Sequence, residues 1–284
     1  MNFQEELVSI GLPTYNGLPY LKKAVESALN QTYSNIELII TDNPSTDGTQ
    51  MFCEEYAKKD RRVKYIRHQK DIGAFKNYNS AFKNAQGKYY CWLSFDDYLD
   101  KYFIEKCVTK LREDKKAIMA ISNFVFVNIS GEIVFKPNPK DYFPIEKDLY
   151  LRLKEYILLY WILGKATLFH GLWRREAIAN EIIRDLPDSD IGFIFRGLSR
   201  GNFLFVDEVL FYKGILPGRE SREHEKLTFR RVISSIFFRI KLIPLYFFNM
   251  KYTTRIKNLS FVKRLKLIFW ECISIIRMFV MRKY

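Results

Sequence analysis

The chain has 284 residues, enough for one large domain, and its four cysteines match neither a metal-ligand spacing nor a disulfide framework, which predicts a reducing compartment. The net charge of +14 lies almost entirely in the tail, because residues 226–284 hold 14 Lys and Arg against one acid, whereas the rest is nearly neutral. The amino terminus has no basic start followed by an apolar run, so we expect no signal peptide.

The first hundred residues alternate short apolar runs with stretches of helical spacing. We predict strands at 7–12, 36–41, 63–67 and 88–95, and helices at 20–30, 50–59 and 74–85. Pro13 stops the first strand. This alternation predicts a mainly parallel sheet with right-handed crossovers, in which ligands bind beyond the carboxyl ends of the strands. Polar clusters stand at three such ends: Pro13–Gly17, Asp42–Thr49 and Asp96–Asp97.

Residues 101–221 show a less regular pattern. We predict strands at 117–127, 133–135, 168–173 and 203–212, and helices at 101–111, 149–163, 178–183 and 191–198. The chain is therefore expected to contain one α/β domain at 1–221, followed by a basic, amphipathic helical tail at 222–284. Within the domain, residues 1–100 would form a nucleotide-binding half and residues 101–221 an acceptor half.

Asp96 and Asp97 directly follow a buried strand, at the predicted binding edge. Carboxylate oxygens are ligands that Mg²⁺ and Mn²⁺ prefer, and a cation there would neutralise the charge that builds on a departing diphosphate. The alternative is that both acids only cap the helix at 101–111. Their place at the end of a parallel strand favours the metal site.

Two other acids are candidates for the site. Asp42 ends the second strand, where its carboxylate could accept a hydrogen bond from a nucleobase N–H, while turn chemistry explains Asp47 and Gly48. Asp190 precedes an apolar helix and is either an N-cap or a general base that deprotonates an acceptor hydroxyl. The sequence has no glycine-rich phosphate loop, which argues against dinucleotide and P-loop binding.

Seven segments of the chain form a recognisable combination of motifs. They are Val8–Gly17, Ser27–Tyr33, Thr41–Thr49, Asp71–Gly73 with Asn79, Gly87–Tyr90 leading to Asp96–Asp97, and more weakly Gly171–Arg175 and Asp190 through Arg196 to Tyr212. Together they resemble the family 2 inverting glycosyltransferases, whose GT-A fold is a Rossmann-like sheet flanked by helices. The resemblance covers residues 7–221 and is most specific in the first hundred.

The resemblance implies roles for individual residues. The implied contacts to the nucleotide sugar are Pro13, Tyr15, Asn16, Asp42, Asp71, Gly73, Ser94 and Asp96. Among these, Asp42 would contact the base, and Asp71 stands where Asn is commoner. Asp96 matches the metal-binding acid of the Asp-x-Asp motif, with Asp97 beside it as a second implied ligand. Asp190 matches the catalytic base of the acceptor half.

Two departures from the family pattern bear on the metal. Ser94 replaces the first acid of the Asp-x-Asp motif, so its hydroxyl can reach a ribose but one charge is lost. Many relatives place a His after the last strand, and this chain has none at 212–217. His224, Glu220 or Glu223 could substitute for it, or the phosphates of the sugar nucleotide could complete the shell.

These observations predict an inverting glycosyltransferase that uses a UDP- or dTDP-linked sugar and Mn²⁺ or Mg²⁺. The acceptor is expected to be a glycan or a lipid-linked glycan, in the synthesis of surface polysaccharide or glycolipid. One alternative is a non-catalytic nucleotide-sugar-binding membrane module. Another is a sugar nucleotidyltransferase, which would need a Gly-rich basic loop that 13–17 does not provide.

Residues 226–284 mix aromatic and aliphatic clusters with Lys and Arg, and no stretch reaches about 18 uncharged apolar residues. A basic, aromatic-rich helix suits the surface of an anionic membrane. We therefore expect a cytoplasmic protein that is peripheral on the inner face of the plasma membrane. The alternative is a helical hairpin packed on the catalytic domain or on a second copy in a homodimer. No nucleic-acid recognition fold accompanies the charge.

Overall fold

A computed structural model describes residues 5–159, 166–181, 183, 189–216, 252–256 and 258–280. The chain forms two compact units. The first contains the sheet and the helices that cover it. The second contains helices from the middle and the carboxyl-terminal part of the chain. The predicted domain boundary at 221 lies outside the described residues and stays a prediction.

The described residues of the first unit form a sheet of nine strands in the order β3-β2-β1-β4-β8-β6-β9-β5, with β7 pairing to β6. They are β1 (Val8–Thr14), β2 (Ile36–Asp42), β3 (Val63–Arg67), β4 (Tyr89–Trp92), β5 (Tyr98–Leu99), β6 (Ala117–Val127), β7 (Ile133–Phe135), β8 (Leu172–Arg174) and β9 (Asn202–Gly214). Its helices are α1 (Leu21–Leu29), α2 (Thr49–Lys59), α3 (Ala74–Lys83) and α4 (Phe103–Glu113). The alternation of these elements agrees with the predicted order.

Strands β1 to β4 pair in parallel, whereas the pairs that involve β5, β7 and β8 are antiparallel. β1 pairs parallel with both β2 and β4, and β2 pairs parallel with β3. β8 pairs antiparallel with β4 and β6, and β5 pairs antiparallel with β9. The crossovers run outward from β1 to β3 and return to β4, so the strand order reverses beside β1. In open α/β sheets this reversal creates a crevice at the carboxyl ends, where ligands bind.

Burial explains why these segments form strands and helices. All residues of β1 and β6 are buried, as expected for strands covered on both faces. Helix α1 buries Leu21, Ala24, Val25 and Ala28, whose spacing of three and four residues places them on one face. A buried Leu replaced by Ala in such a core costs about 2–5 kcal/mol.

Strand β1 continues through Pro13, where the sequence predicted its end. Its pairing with β4 ends at Gly11, whose carbonyl accepts from Leu93 N at 2.9 Å. Backbone polar groups alternate between the two sides of a strand, so the nitrogen of Pro13 faces the same side as the Gly11 carbonyl, which is the side of β4. Proline has no N–H to donate, and no β4 residue remains there to receive one. The strand therefore keeps its pairing with β2 as far as Thr14.

Other predicted boundaries differ more. The segment at 168–173 is a 3₁₀ turn at Leu168–His170 followed by the short strand β8, because β8 pairs over only two residues with each neighbour. The segment at 178–183 is not an α-helix in its described residues, since the helical turn there is a 3₁₀ turn at Arg175–Ile178. The predicted end of the helix at 149–163 lies outside the described residues.

A buried amide fastens the carboxyl ends of β1 and β2. The Asn77 side chain on α3 is 2% exposed, and its Nδ2 donates to Thr14 O and Thr41 O, both at 3.0 Å. Its Oδ1 lies 3.2 Å from His68 Nε2. One side chain therefore pairs with backbone carbonyls at the edge where ligands are expected to bind.

The second unit contains α5 (Leu149–Leu158), α6 (Ser189–Leu198) and α7 (Phe261–Val280). Asp148 caps α5 by accepting from Leu151 N at 3.0 Å. Arg152 is 5% exposed and donates to Leu198 O, where the favourable end of the α6 dipole meets its charge. Within the described part of the chain, no helix is long and apolar enough to cross a bilayer.

Helix α7 turns its one acid inward. Glu271 is 1% exposed, and its Oε1 accepts from Thr253 Oγ1 at 2.9 Å, while Oε2 has no hydrogen-bond donor among the described residues. Burial raises the pKa of Glu271 to about 8. The protonated form is therefore the one that suits this packed interior.

We expect the replacement Glu271→Gln to flatten the pH dependence of stability. The folded pKa exceeds the ordinary 4.5, so the stability that Glu271 contributes is present below pH 4.5 and is lost as pH rises through 8. The loss is about 1.4 kcal/mol per pH unit in that window. Urea unfolding at several pH values would show the variant overtaking the wild type near pH 8. Equal pH dependence of wild type and variant, with exposed Glu113→Gln as control, would contradict this.

Asn77→Ala is expected to destabilise the first unit by about 2–4 kcal/mol, because two carbonyls at strand ends lose their donor. The matched control is Asn84→Ala, which removes a less buried amide from the end of the same helix. Thermal unfolding of both variants checks the prediction. If the two variants lose the same stability, Asn77 does not fasten β1 to β2.

Candidate functional site

Two loops at the carboxyl edge of the sheet are joined by hydrogen bonds. Asn16 donates its N–H to Ser45 Oγ at 2.9 Å, and its Oδ1 accepts from Thr46 N at 2.9 Å. Gly17 N donates to Thr49 Oγ1 at 3.0 Å. Asn16 has a φ of 48°, a left-handed conformation that Asn tolerates better than most residues. The loop after β1 is therefore held against the loop after β2.

The first predicted pocket residues lie on this loop at different depths. Pro13 is buried in β1, whereas the Tyr15 side chain is 49% exposed. An aromatic ring that stands free at the rim can stack on a base, since every base offers a π-face. The structure brings Pro13, Tyr15 and Asn16 to one edge, beside the end of β2.

Asp42 lies at the end of β2 and is completely buried. Its Oδ2 accepts from Tyr65 Oη at 2.7 Å, and its Oδ1 accepts from Ser45 Oγ. The Arg67 guanidinium lies 3.9 Å from Oδ2. Burial raises the pKa of Asp42, and the two hydroxyls and Arg67 act in the opposite direction. Both carboxylate oxygens thus already have donors, so a base N–H would have to share them.

Asp71 and Gly73 form a turn before α3. Asp71 is exposed, and its Oδ1 accepts from Gly73 N at 2.8 Å. Gly73 has a φ of 80°, which favours glycine. Ile72 N donates to Asn43 Oδ1 at 3.3 Å, which ties this turn to the loop after β2.

Ser94 and Asp96 follow β4 at the same edge. Ser94 is nearly buried, and its Oγ lies 3.0 Å from Tyr78 Oη. Asp96 is partly exposed and lines a cavity of about 240 Å³. Lys23 and Tyr98 also line this cavity, and the Lys23 ammonium lies 3.6 Å from the centre of the Tyr98 ring. The cavity wall therefore offers a carboxylate, an ammonium and an aromatic ring.

Asp97 differs from Asp96 although the two are adjacent. It is 1% exposed, and its Oδ1 accepts from Gly214 N at 2.9 Å. Burial raises the pKa of Asp97, and Lys213 partly offsets that effect. Among the described residues, no cluster of three His, Cys, Asp or Glu side chains could hold a metal by itself. The predicted substitutes for the missing His lie outside the described residues.

Asp190 belongs to the second unit. It lies in the first turn of α6, is half-buried, and its Oδ1 accepts from Ile191 N at 2.9 Å. A negative charge in the first turn of a helix is favourable, but Asp190 is the second residue of the helix and does not stand at the N-cap position. Its role as a general base stays a prediction.

The sequence analysis missed three residues that shape this edge. Asn77, Tyr65 and Lys213 contact strand ends or buried acids from distant positions in the chain. Tyr65 carried a usable signal, because side-chain alternation and parallel pairing place it beside Ile40, two residues before Asp42. For Lys213 the sequence indicated no role, and its segment at 212–217 was notable only for the lack of a His.

The comparison with family models matches glycosyl transferase family 2 over residues 9–176. An uncharacterized glycosyltransferase of Rickettsia prowazekii is 30% identical over 212 residues, which cover 74% of this chain and 64% of that protein. The chain thus spans somewhat less than two thirds of that relative.

Solved structures share the fold at low identity. S. aureus TarS in complex with UDP-GlcNAc has a TM-score of 0.63 at 17% identity, over 93% of this chain and 70% of that one. The mannosyltransferase PcManGT from Pyrobaculum calidifontis, in complex with GDP-Man and Mn²⁺, has a TM-score of 0.56 at 13% identity, over 99% and 89%. The predicted GT-A fold is confirmed by these likenesses. Since the family model covers more than half of its residues, the chain belongs to glycosyl transferase family 2.

Proposed function

We propose that the chain transfers a sugar from a nucleoside diphosphate donor to an acceptor hydroxyl with inversion. The observation that carries this proposal is the gathering of Asn16, Asp42 and Asp96 at the carboxyl ends of β1, β2 and β4. Three adjacent strands thus present loop amides, a buried carboxylate and a partly exposed carboxylate at one edge. Family membership supports the reaction class.

The donor is proposed to be UDP- or dTDP-linked, as expected from the sequence. The structure of TarS with UDP-GlcNAc supports a uridine donor, and that of PcManGT with GDP-Man shows that a guanosine donor occurs on the same fold. The acceptor is proposed to be a hydroxyl of a surface glycan or glycolipid. Binding of UDP, dTDP and GDP by calorimetry separates these donors.

A divalent cation fits the carboxylate ligands at this edge. Asp96 presents hard carboxylate oxygens at the wall of a cavity of about 240 Å³. Mg²⁺ and Mn²⁺ are commonly held by one or two carboxylates together with substrate phosphates, so a third protein ligand is not required. Such a cation would supply charge neutralisation for the departing diphosphate.

The chain's own residues carry the rest of the proposed reaction. The loop after β1 and the end of β2 orient the nucleotide, and Ser94 offers a hydroxyl to the ribose. Asp190 accepts the proton of the acceptor hydroxyl while the oxygen of that hydroxyl bonds to the anomeric carbon. The bond from that carbon to the diphosphate breaks, and the diphosphate leaves with the electron pair. A single displacement inverts the anomeric centre.

Two isosteric substitutions should separate binding from chemistry. Asp96→Asn is expected to remove most of the Mn²⁺-dependent part of UDP binding, because its carboxylate would ligate the cation. Asp190→Asn should leave UDP binding unchanged and lower sugar transfer by about 10²–10⁴-fold, the usual contribution of a general base. Calorimetry and product analysis measure the two effects, with exposed Asp207→Asn as the control.

The outcomes also decide between the competing functions. Transfer that survives in Asp190→Asn contradicts the base assignment. A wild-type chain that binds UDP but transfers no sugar from any donor and hydrolyses none supports the non-catalytic module. If no nucleotide binds with or without Mn²⁺, the donor site itself is refuted.

We further propose that the tail holds the protein on the anionic inner face of the plasma membrane. Helix α7 exposes half or more of Phe261, Val262, Leu265 and Phe269. At 3.6 residues per turn these side chains form one stripe, with Lys266 on one flank. Since Glu271 faces inward, this side of the described helix carries no acid. An apolar stripe with basic flanks suits a bilayer interface.

The paired change Leu265→Gln and Phe269→Gln should weaken binding to vesicles of phosphatidylcholine with phosphatidylglycerol by at least about tenfold. Each buried apolar side chain of this size contributes roughly 1.5–3 kcal/mol. Flotation of the full chain measures the partitioning. A matched control is Met51→Gln with Ile133→Gln, which alters two exposed apolar residues of the first unit.

Two results would contradict the membrane proposal. One is equal flotation of the wild type and the paired α7 variant. The other is a lipid-free dimer that becomes monomeric in that variant, because the stripe would then pair with a second copy of the chain. Light scattering after gel filtration detects the second result.

A further inference from the structure

Asp97, whose carboxylate is buried, closes a tight turn after β4 with its backbone N–H. Asp97 N donates to Ser94 O at 3.1 Å, so the turn runs from Ser94 to Asp97 and carries Asp96 near its centre. The Asp97 Oδ1 accepts from Gly214 N at 2.9 Å. This bond joins the residue directly before β5 to the end of β9, and the two residues are 117 positions apart in the chain.

The end of β9 also touches Asp96 directly. A Cβ placed on Gly214 would lie 1.9 Å from the carbonyl oxygen of Asp96, which is far inside contact distance. Only glycine permits this approach. The backbone of β9 therefore packs against Asp96 while its N–H holds Asp97.

The second oxygen of Asp97 faces a cation from the same strand. Lys213 Nζ lies 3.6 Å from Asp97 Oδ2, and the Lys213 side chain is 24% exposed. His170 Nε2 lies 3.9 Å from the same oxygen. Burial lowers the pKa of His170 to about 3, and its Nδ1 lies 3.0 Å from Trp92 O. The imidazole is thus neutral, and Lys213 supplies the positive charge.

From this geometry we infer that Lys213 and Asp97 are a positioning pair that fixes the carboxylate of Asp96 toward the donor. The inference rests on the proposed function, in which Asp96 binds the cation. An ammonium 3.6 Å from Asp97 Oδ2 would repel a metal bound there, whereas it stabilises Asp97 as a buried anchor. Residues that orient metal ligands commonly change metal affinity by about 10–100-fold when they are replaced.

The sign of the effect of Lys213→Met distinguishes a positioning pair from a metal ligand. For a positioning pair, the Mn²⁺-dependent affinity for UDP should fall by about 10–100-fold, while metal-independent UDP binding persists. Lys213→Arg should restore most of this loss, because it keeps the charge. If Asp97 is itself a ligand, removal of the opposing ammonium should instead raise the affinity for Mn²⁺. Lys106→Met, which breaks an exposed pair with Glu208, is the matched control.

Metal-free thermal unfolding of a double-mutant cycle gives an independent readout. Lys213→Met leaves a buried carboxylate without its counter-charge, so its unfolding midpoint should fall clearly. The double variant Lys213→Met with Asp97→Asn should unfold at a higher temperature than Lys213→Met alone, since no buried charge remains. If the two substitutions change the unfolding midpoint additively, Lys213 and Asp97 are not coupled, and the inferred pair is contradicted.

The outcomes separate this inference from the proposed function. Unchanged or increased Mn²⁺ affinity in Lys213→Met overturns the positioning role, provided that the wild type binds UDP and Mn²⁺. Absence of nucleotide binding by the wild type refutes the donor site. In that case the metal-free cycle still shows whether Asp97 and Lys213 are coupled.

Discussion

Two buried carboxylates determine how the binding edge of this protein is built. Asp42 and Asp97 stand at the ends of β2 and beyond β4, where each is almost fully removed from water. A buried charge is expensive unless donors surround it. Tyr65 and Ser45 surround the first, and the Lys213–Gly214 segment surrounds the second. The first carboxylate therefore ties β2 to β3, and the second ties the segment after β4 to the end of β9.

The sequence could predict the order of the elements because burial on both faces of β1 and the helical spacing of α1 leave periodic patterns. It could also place Asp96 at a strand end. The contact between Lys213 and Asp97 could not be predicted, because nothing in the local pattern shows that a lysine at the end of β9 will face an acid far away in the chain. Pro13 illustrates a different limit, since a strand can pass through proline when the neighbouring strand has already ended.

The candidate site divides along similar lines. Motif matching pointed to both acids of the Asp96–Asp97 pair and treated them alike, as metal ligands. Their surroundings distinguish them, because Asp96 is partly exposed whereas Asp97 is buried and accepts from Gly214 N at the end of β9. Two residues that are adjacent in sequence thus differ in burial and in hydrogen-bond partners because of their tertiary contacts. A similar distinction applies to α7, where Glu271 turns inward and the exposed side carries the apolar side chains of Phe261, Val262, Leu265 and Phe269.

Ser94 has a consequence for the electrostatic field of the donor edge. A hydroxyl there removes one negative charge, and the Lys213 ammonium lies 3.6 Å from Asp97 Oδ2, so the segment after β4 carries less net negative charge than an all-acid motif would. Such an edge experiences little self-repulsion and can keep its shape without a bound cation. Under the proposed function, a diphosphate that approaches this edge would meet a weaker repulsive potential than three neighbouring carboxylates would create. The serine thus lowers the repulsion between acids at this edge, which in an all-acid motif only a bound cation would offset.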